Sequence, residues 1–184
     1  MKDARRPKIV LNRILEWLAV LLNIGFTVLF QLNNPWSFVL GIAGPILLAI
    51  LSFQRHLFAD VFLQLAYSAL AVYGYLQFIQ TPSLHESGLL HIAGISASLI
   101  IGMLAGILLK RNTTAALPLL DALITAFSLW ATIILMSGWE SAWLYFIFIN
   151  LTSVVLFFKR GLQIIGFLFI LYTLLAIQGY FHIV

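Results

Sequence analysis

The chain has 184 residues, of which 62% are hydrophobic, 14% aromatic and only 9% charged, and its mean hydropathy is +1.07. Water-soluble domains are about 45–50% apolar and about 25% charged. This chain lacks the polar residues to cover a water-facing surface, so we predict a membrane protein in contact with the lipid bilayer. The absence of cysteine excludes disulfides and zinc–thiolate sites.

Seven apolar runs follow one another, each close to the roughly 20 residues that a membrane helix needs. They cover approximately residues 14–32, 36–53, 57–79, 89–109, 118–137, 139–158 and 161–182. The breaks between them carry turn formers or charges, such as "NNP", "TPSLHES" and "KRNTT". The first run is too long for a signal peptide. Because the runs do not alternate as barrel strands do, we predict an all-α membrane protein with seven transmembrane helices.

The ten basic residues predict the orientation. With the N-terminus in the cytoplasm, all of them fall in cytoplasmic segments: Lys2, Arg5, Arg6, Lys8, Arg13, Arg55, Lys110, Arg111, Lys159 and Arg160. The positive-inside rule then places the C-terminus outside and makes residues 1–13 a cytoplasmic basic tail. The same rule explains the net charge of +4, so we expect no nucleic-acid partner.

An offset of 105 residues aligns the chain with itself. From Leu51 to Leu76 eleven positions are then identical, including Arg55 with Arg160 and Gly74-Tyr75 with Gly179-Tyr180. Such self-similarity predicts a duplication. We therefore predict two parallel three-helix bundles, 14–79 and 118–182, joined by a linker helix at 89–109 in a 3+1+3 arrangement, which is typical of transporters.

The linker helix has no partner in the repeat and is rich in small residues, among them "GMLAG". A small-xxx-small pattern allows close approach of helix backbones. Two interpretations stay open, a clamp that holds the two bundles together and a hinge.

Two stretches, "LFADVFLQLAYSALAVYGY" and "WLYFIFINLTSVVLFFKRGL", resemble the PnuC family of vitamin transporters, and the resemblance extends from Leu15 to Ile183. It implies a fold related to the SWEET proteins, a homotrimer in the bacterial inner membrane, and facilitated diffusion of nicotinamide riboside or, in some branches, thiamine. The family commonly has Trp where this chain has Tyr75 and Phe146. Both changes keep an aromatic face but alter its size and hydrogen bonding.

A ring-bearing vitamin requires aromatic faces for its ring and hydrogen-bonding groups for its edge, and a cationic ring also gains from cation–π attraction. Asn150, in mid-span of the sixth helix, is the strongest candidate, as the resemblance also implies; the alternative is an interhelical hydrogen bond. Trp143, seven residues earlier, shares its face or belongs to an interfacial belt.

Further candidates lie on other helices. Gln64 and Tyr67 share one face of the third helix, and the offset matches them to Phe169 and Tyr172. The remaining candidates are Tyr172 and Gln178 in the seventh helix, Trp36 at the start of the second, which also suits an interfacial belt, and Pro45 as a hinge or a static kink.

No ionisable residue lies at mid-membrane, which argues for uncoupled transport. The four histidines lack metal-ligand spacing, so we predict no metal, and we predict no cofactor and no catalytic residue. The rival hypothesis is a membrane receptor or assembly subunit that transports nothing.

Overall fold

The structure is a computed structural model that describes residues 5–54, 58–79, 85–112, 117–159, 161 and 163–181. Within these residues lie seven helices: α1 Arg5–Gln31, α2 Trp36–Gln54, α3 Phe58–Ile79, α4 Gly88–Asn112, α5 Pro118–Met136, α6 Ala142–Lys159 and α7 Gln163–Phe181. No strand occurs among these described residues. The prediction of an all-α protein with seven helices is therefore confirmed.

Six of the helices are long and apolar enough to cross a membrane. In α1 the qualifying stretch is Arg13–Gln31, although the helix itself begins at Arg5, inside the predicted basic tail. In α7 the apolar stretch, Ile165–Phe181, is shorter than in the others. The predicted spans agree with these helices apart from their ends. The largest shift is at α1, which starts before the predicted residue 14, and a turn delays the start of α6 to Ala142.

The chain divides into two compact units, Met1–Gln80 and Thr81–Val184. In unit 1, α2 packs against both α1 and α3. In unit 2, α4 packs on α5, α5 on α6, and α6 on α7. The predicted linker helix thus belongs to the second unit, where α5 is its packing partner.

Small residues bring α4 and α5 close together. Gly94, Ser98, Gly102 and Gly106 recur every four residues and so form one stripe along α4. A Cβ built on Gly94 would collide with the Trp130 ring, and one on Gly106 would lie 2.7 Å from the Leu119 Cα on α5. The Ser98 hydroxyl also donates to the Ala126 carbonyl at 3.4 Å. The predicted close approach is therefore seen between α4 and α5.

A tight turn joins α1 to α2. Asn33 adopts a left-handed conformation with φ 53°, which Asn tolerates better than most residues. Its N–H donates to the Phe30 carbonyl at 3.0 Å, and the Asn34 N–H donates to the Leu29 carbonyl at 3.0 Å. The Asn34 side chain then accepts from the Trp36 N–H at 3.0 Å, so the turn ends α1 and starts α2 within four residues.

The turn between α5 and α6 has the same hydrogen bonds without the same sequence. Gly138 has φ 80°, its N–H donates to the Leu135 carbonyl at 3.0 Å, and the Trp139 N–H donates to the Ile134 carbonyl at 3.1 Å. Subtracting 105 from these four residue numbers gives the four residues of the α1–α2 turn. The two turns therefore share a backbone geometry at the predicted offset.

The helix bounds follow the same offset. Subtracting 105 from the bounds of α5, α6 and α7 gives 13–31, 37–54 and 58–76. The corresponding helices α1, α2 and α3 cover 5–31, 36–54 and 58–79. The C-terminal ends coincide for α1 with α5 and for α2 with α6, and the starts differ by at most one residue for α2 with α6 and for α3 with α7.

Candidate substrate-binding site

One buried face of α6 carries two of the predicted contacts. Asn150 is 7% exposed and Trp143 is 8% exposed, and their spacing of seven residues puts them on the same side of the helix. Phe146 lies between them, with its ring centroid 6.4 Å from that of Trp143. An amide and aromatic rings on one face of a membrane helix are the groups that a polar, ring-bearing ligand requires.

Aromatic rings join α6 to α7. The Phe157 and Phe169 rings are stacked at 5.1 Å with an interplanar angle of 10°, and Tyr172 meets the edge of Phe169 at 6.1 Å. Tyr172 is half-buried, and its contact with Phe169 continues the row of rings along α7. Gln178 is also half-buried, but six residues of helix turn it to a different side of α7 from Tyr172.

In unit 1, Gln64 and Tyr67 lie in α3 and are both half-buried. Their spacing of three residues keeps them on one face, as predicted. The next residue, Ser68, is buried and donates its hydroxyl to the Ile42 carbonyl of α2 at 3.3 Å. This bond fixes α3 against α2 directly beside the two predicted contacts.

Pro45 is buried inside α2, where it removes one backbone hydrogen bond from the helix. The residue before it, Gly44, packs on the side chain of Asn23, whose Oδ1 lies 3.0 Å from the position of a Gly44 Cβ. The Asn23 amide nitrogen in turn donates to the Ala19 carbonyl at 2.9 Å. An intramembrane amide therefore lies against the glycine that precedes the proline.

Our sequence analysis did not select Asn23. The signal was present, because Asn23 is an amide well inside the first apolar run, as Asn150 is inside the sixth. Trp36, by contrast, is 68% exposed at the first residue of α2. That position suits an interfacial aromatic, so Trp36 is the weakest of the predicted contacts.

A groove of about 620 Å³ lies within unit 2. The residues of α6 that line it face away from Asn150 and Trp143, because they fall on the other side of the helix. Its lining comes from α4, α5, α6 and the turn before α6: His91, Ile95, Leu120, Leu123, Ile124, Phe127, Ser141, Leu144, Tyr145, Phe148, Ile149 and Thr152.

Polar groups cluster at one end of this groove. The His91 Nε2 lies 3.0 Å from the Glu86 Oε1, and its Nδ1 lies 2.9 Å from the Tyr145 hydroxyl. A carboxylate only accepts, so a neutral His91 donates from Nε2 and accepts the Tyr145 proton at Nδ1. The Ser141 side chain lowers the pKa of Glu86, partial burial opposes this and His91 assists it, so this pKa lies below its usual range.

Among the described residues, no group of three His, Asp or Glu side chains could hold a metal ion. The charged residues of the spans lie in their terminal turns: Arg13 and Glu16 at the start of the apolar part of α1, Asp121 at the start of α5, and Lys110, Arg111 and Lys159 at the ends of α4 and α6. The middle of each described span is therefore uncharged.

A family profile described as nicotinamide mononucleotide transporter matches residues 13–182, which is nearly the whole chain. The chain belongs to this family. The family resemblance seen in the sequence is thereby confirmed, and the chain is a multi-pass membrane transporter, not an enzyme. No protein of curated function matches the chain.

The fold of this transporter is also that of a solved structure described as the crystal structure of the vitamin B3 transporter PnuC. The two share a TM-score of 0.67 at 19% sequence identity, and the alignment covers 91% of this chain and 79% of that one. At this identity the likeness shows a common fold and leaves the substrate of this family member to be argued from its residues.

Proposed function

We propose that this transporter carries nicotinamide riboside, a nucleoside precursor of vitamin B3, across the membrane by uncoupled facilitated diffusion. The observation that supports this most is the buried face of α6 with Asn150 and Trp143. A buried amide costs free energy unless its polar atoms are hydrogen-bonded, and a substrate hydroxyl or carboxamide is a fitting partner. The solved vitamin B3 transporter of the same fold points to the same vitamin class.

The distribution of charge favours the nucleoside over its phosphorylated form. A phosphate in a low-dielectric site requires Arg or Lys as a partner. All ten Lys and Arg residues lie outside the middle of the apolar runs. A mononucleotide would therefore lack a cation for its phosphate, whereas the cationic ring of the riboside can rest on aromatic faces, an attraction of about 0.5–2 kcal/mol.

The same distribution supports uncoupled transport. Proton relays in transporters are built from Asp, Glu or His inside the membrane. The six acidic residues and the four histidines of this chain all lie near or beyond the ends of the runs, so a proton-coupled cycle would lack its titrating group.

Within unit 2 we assign the ring-stacking role to Trp143 and Tyr172, and hydrogen bonding to Asn150, with Gln178 as a weaker contact. Within unit 1 we assign Gln64 and Tyr67 as contacts, with Trp36 the weakest and Pro45 as the hinge. The asymmetry suits a nucleoside, because one unit offers an additional amide where the other has the ring of Phe169.

The shared turn geometry supports a duplication of α1–α3 as α5–α7. Two helix ends with unrelated sequences and the same hydrogen bonds at one offset are difficult to explain by biased composition alone. On this basis we propose parallel repeats that alternate access by rocking, with the N-terminus in the cytoplasm of a bacterium, the C-terminus outside, and a homotrimeric assembly as the family resemblance implies.

Thiamine is the second candidate. Phe146 stands beside Trp143 where the family commonly has a second Trp, and a smaller ring without an N–H alters the shape and hydrogen bonding of this face. Thiamine, like the riboside, has a cationic ring and no phosphate. It can therefore rest on the aromatic faces and needs no Lys or Arg inside the membrane.

Uptake into proteoliposomes distinguishes these candidates. Labelled nicotinamide riboside, nicotinamide mononucleotide and thiamine are supplied separately, with and without a proton or sodium gradient. We expect saturable uptake of the riboside, no uptake of the mononucleotide, and no gradient dependence. Uptake of the mononucleotide faster than that of the riboside would overturn the argument from charge. Accumulation driven by a gradient would overturn uniport. The absence of flux for all three compounds would favour the receptor hypothesis.

A further inference from the structure

The groove in unit 2 has three sides. Leu123, Ile124 and Phe127 of α5 form its floor, and the backbones of α4 and α6 stay apart on either side of it. On α6 the lining runs from Leu144 to Thr152, about 12 Å at 1.5 Å per residue. The groove is therefore long and narrow, unlike a compact site for a small polar molecule.

The groove is apolar over its length and polar at one end. On α6 its wall is formed by side chains such as Leu144 and Phe148, which are 38% and 71% exposed. The polar end is bridged by the hydrogen bond between His91 of α4 and Tyr145 of α6, whose rings are stacked. This distribution matches an acyl chain that is attached to a headgroup.

The polar end is acidic. Glu86 is paired with His91 there, and its low pKa keeps the carboxylate ionised at neutral pH. Glu140, in the turn beside Ser141, is exposed at the same end. The basic residues Lys110, Arg111 and Lys159 lie at the opposite ends of α4 and α6. An ammonium group is therefore attracted to this end, and a purely anionic headgroup is repelled.

We propose that this groove is a specific site for a phospholipid with an ammonium headgroup, such as phosphatidylethanolamine. One acyl chain lies along α5 and α6, and the ammonium group binds the Glu86 carboxylate. The site is separate from the proposed substrate face, because it uses the other side of α6. It depends on the membrane location of the chain and not on the identity of the substrate.

Native mass spectrometry of the purified protein in detergent tests the proposal. Phosphatidylethanolamine and phosphatidylglycerol with identical acyl chains are added in turn. We expect phosphatidylethanolamine to bind more tightly, and Glu86→Gln to weaken it about tenfold, the loss expected for one hydrogen bond to a charged group. Binding of phosphatidylglycerol should not fall in this variant, because the substitution removes a charge that repels an anionic headgroup. Equal affinity for the two lipids in the unaltered protein would overturn the proposal.

A matched pair of variants tests the groove itself. Thr152→Trp fills the groove, whereas Leu151→Trp puts the same ring on a neighbouring residue that is 49% exposed and does not line it. We expect only Thr152→Trp to release the lipid. If both variants retain it equally, the lipid binds elsewhere. If Thr152→Trp instead changes the oligomeric mass, a second copy of the chain occupies the groove, and the lipid proposal is wrong.

Discussion

The helix pair α2–α3 in unit 1 and the pair α6–α7 in unit 2 follow equivalent turns but carry different chemistry. The offset matches Pro45 with Asn150, and both are buried. It also matches Ser52 and Gln64 with the stacked rings of Phe157 and Phe169. At these positions one pair thus has a proline and two polar residues, and the other has an amide and two stacked rings. The backbone similarity shows what the fold needs, and the side-chain differences lie at positions where we propose that the substrate is recognised.

The largest effect is expected from Asn150→Leu, which makes the α6 position as apolar as its surroundings. Loss of hydrogen bonds to a polar substrate should weaken binding about a hundredfold, or about 2.7 kcal/mol. The free energy of unfolding should change by less than about 1 kcal/mol, because leucine has nearly the same shape as asparagine. Isothermal titration with nicotinamide riboside and thermal unfolding in detergent measure the two quantities.

The matched control for this variant is Asn23→Leu, which removes an amide from α1 that bonds to its own helix. It should retain affinity within about threefold. Equal losses of affinity in the two variants would mean that Asn150 acts through the fold and does not contact the substrate.

The next effect concerns the aromatic joint. Phe169→Gln removes the ring that stacks on Phe157 and meets Tyr172, so the free energy of unfolding should fall by about 2–3 kcal/mol. The thermal unfolding midpoint of the purified protein measures this loss. Phe181→Gln is a suitable control, since Phe181 is 63% exposed at the end of α7. An equal loss of stability in this control would show that the stacking of Phe169 on Phe157 adds no stability of its own.

The reverse substitution, Gln64→Phe, makes unit 1 resemble unit 2. If Gln64 contacts the substrate, affinity should fall about tenfold, while the unfolding midpoint changes little. Titration of the riboside measures the affinity. An unchanged affinity together with a lowered midpoint would assign Gln64 to the packing of α3 alone, as its match with the stacked ring of Phe169 suggests.

The sequence predicted the seven helices because apolar runs of membrane length are separated by charges and turn formers. It could not predict that α4 packs with the second unit, since the small-residue stripe of Gly94 and Gly106 shows that a close partner exists but not which one. The α6 face was predictable from the spacing of Asn150 and Trp143. The groove was not predictable, because its lining is ordinary apolar sequence. Its polar end also depends on contacts of His91 with Glu86 and with Tyr145, which is distant in the sequence.

The two equivalent turns offer a smaller and more symmetric test. Asn33→Val and Gly138→Val each place a β-branched residue at positive φ, which should cost about 1–2 kcal/mol of stability. If the turns are structural equivalents, both substitutions should lower the stability, and Gly138→Val somewhat more, because glycine pays no penalty at positive φ. Gly88→Val is the control, because a Cβ at Gly88 meets nothing within 4 Å. Very unequal costs in the two turns, measured as shifts of the unfolding midpoint, would weaken the case for duplication.

The smallest effect is expected at the hinge. Pro45→Ala restores the N–H that α2 lacks, so the Gly41 carbonyl regains its intrahelical partner and the helix becomes stiffer. If α2 bends during the transport cycle, the maximal uptake rate should fall about threefold while the affinity is unchanged. The control Pro35→Ala alters an exposed proline in the turn before α2. A rate that is unchanged in Pro45→Ala, with a raised unfolding midpoint, would make the proline a static kink; unit 1 would then differ from unit 2 in stability and not in motion.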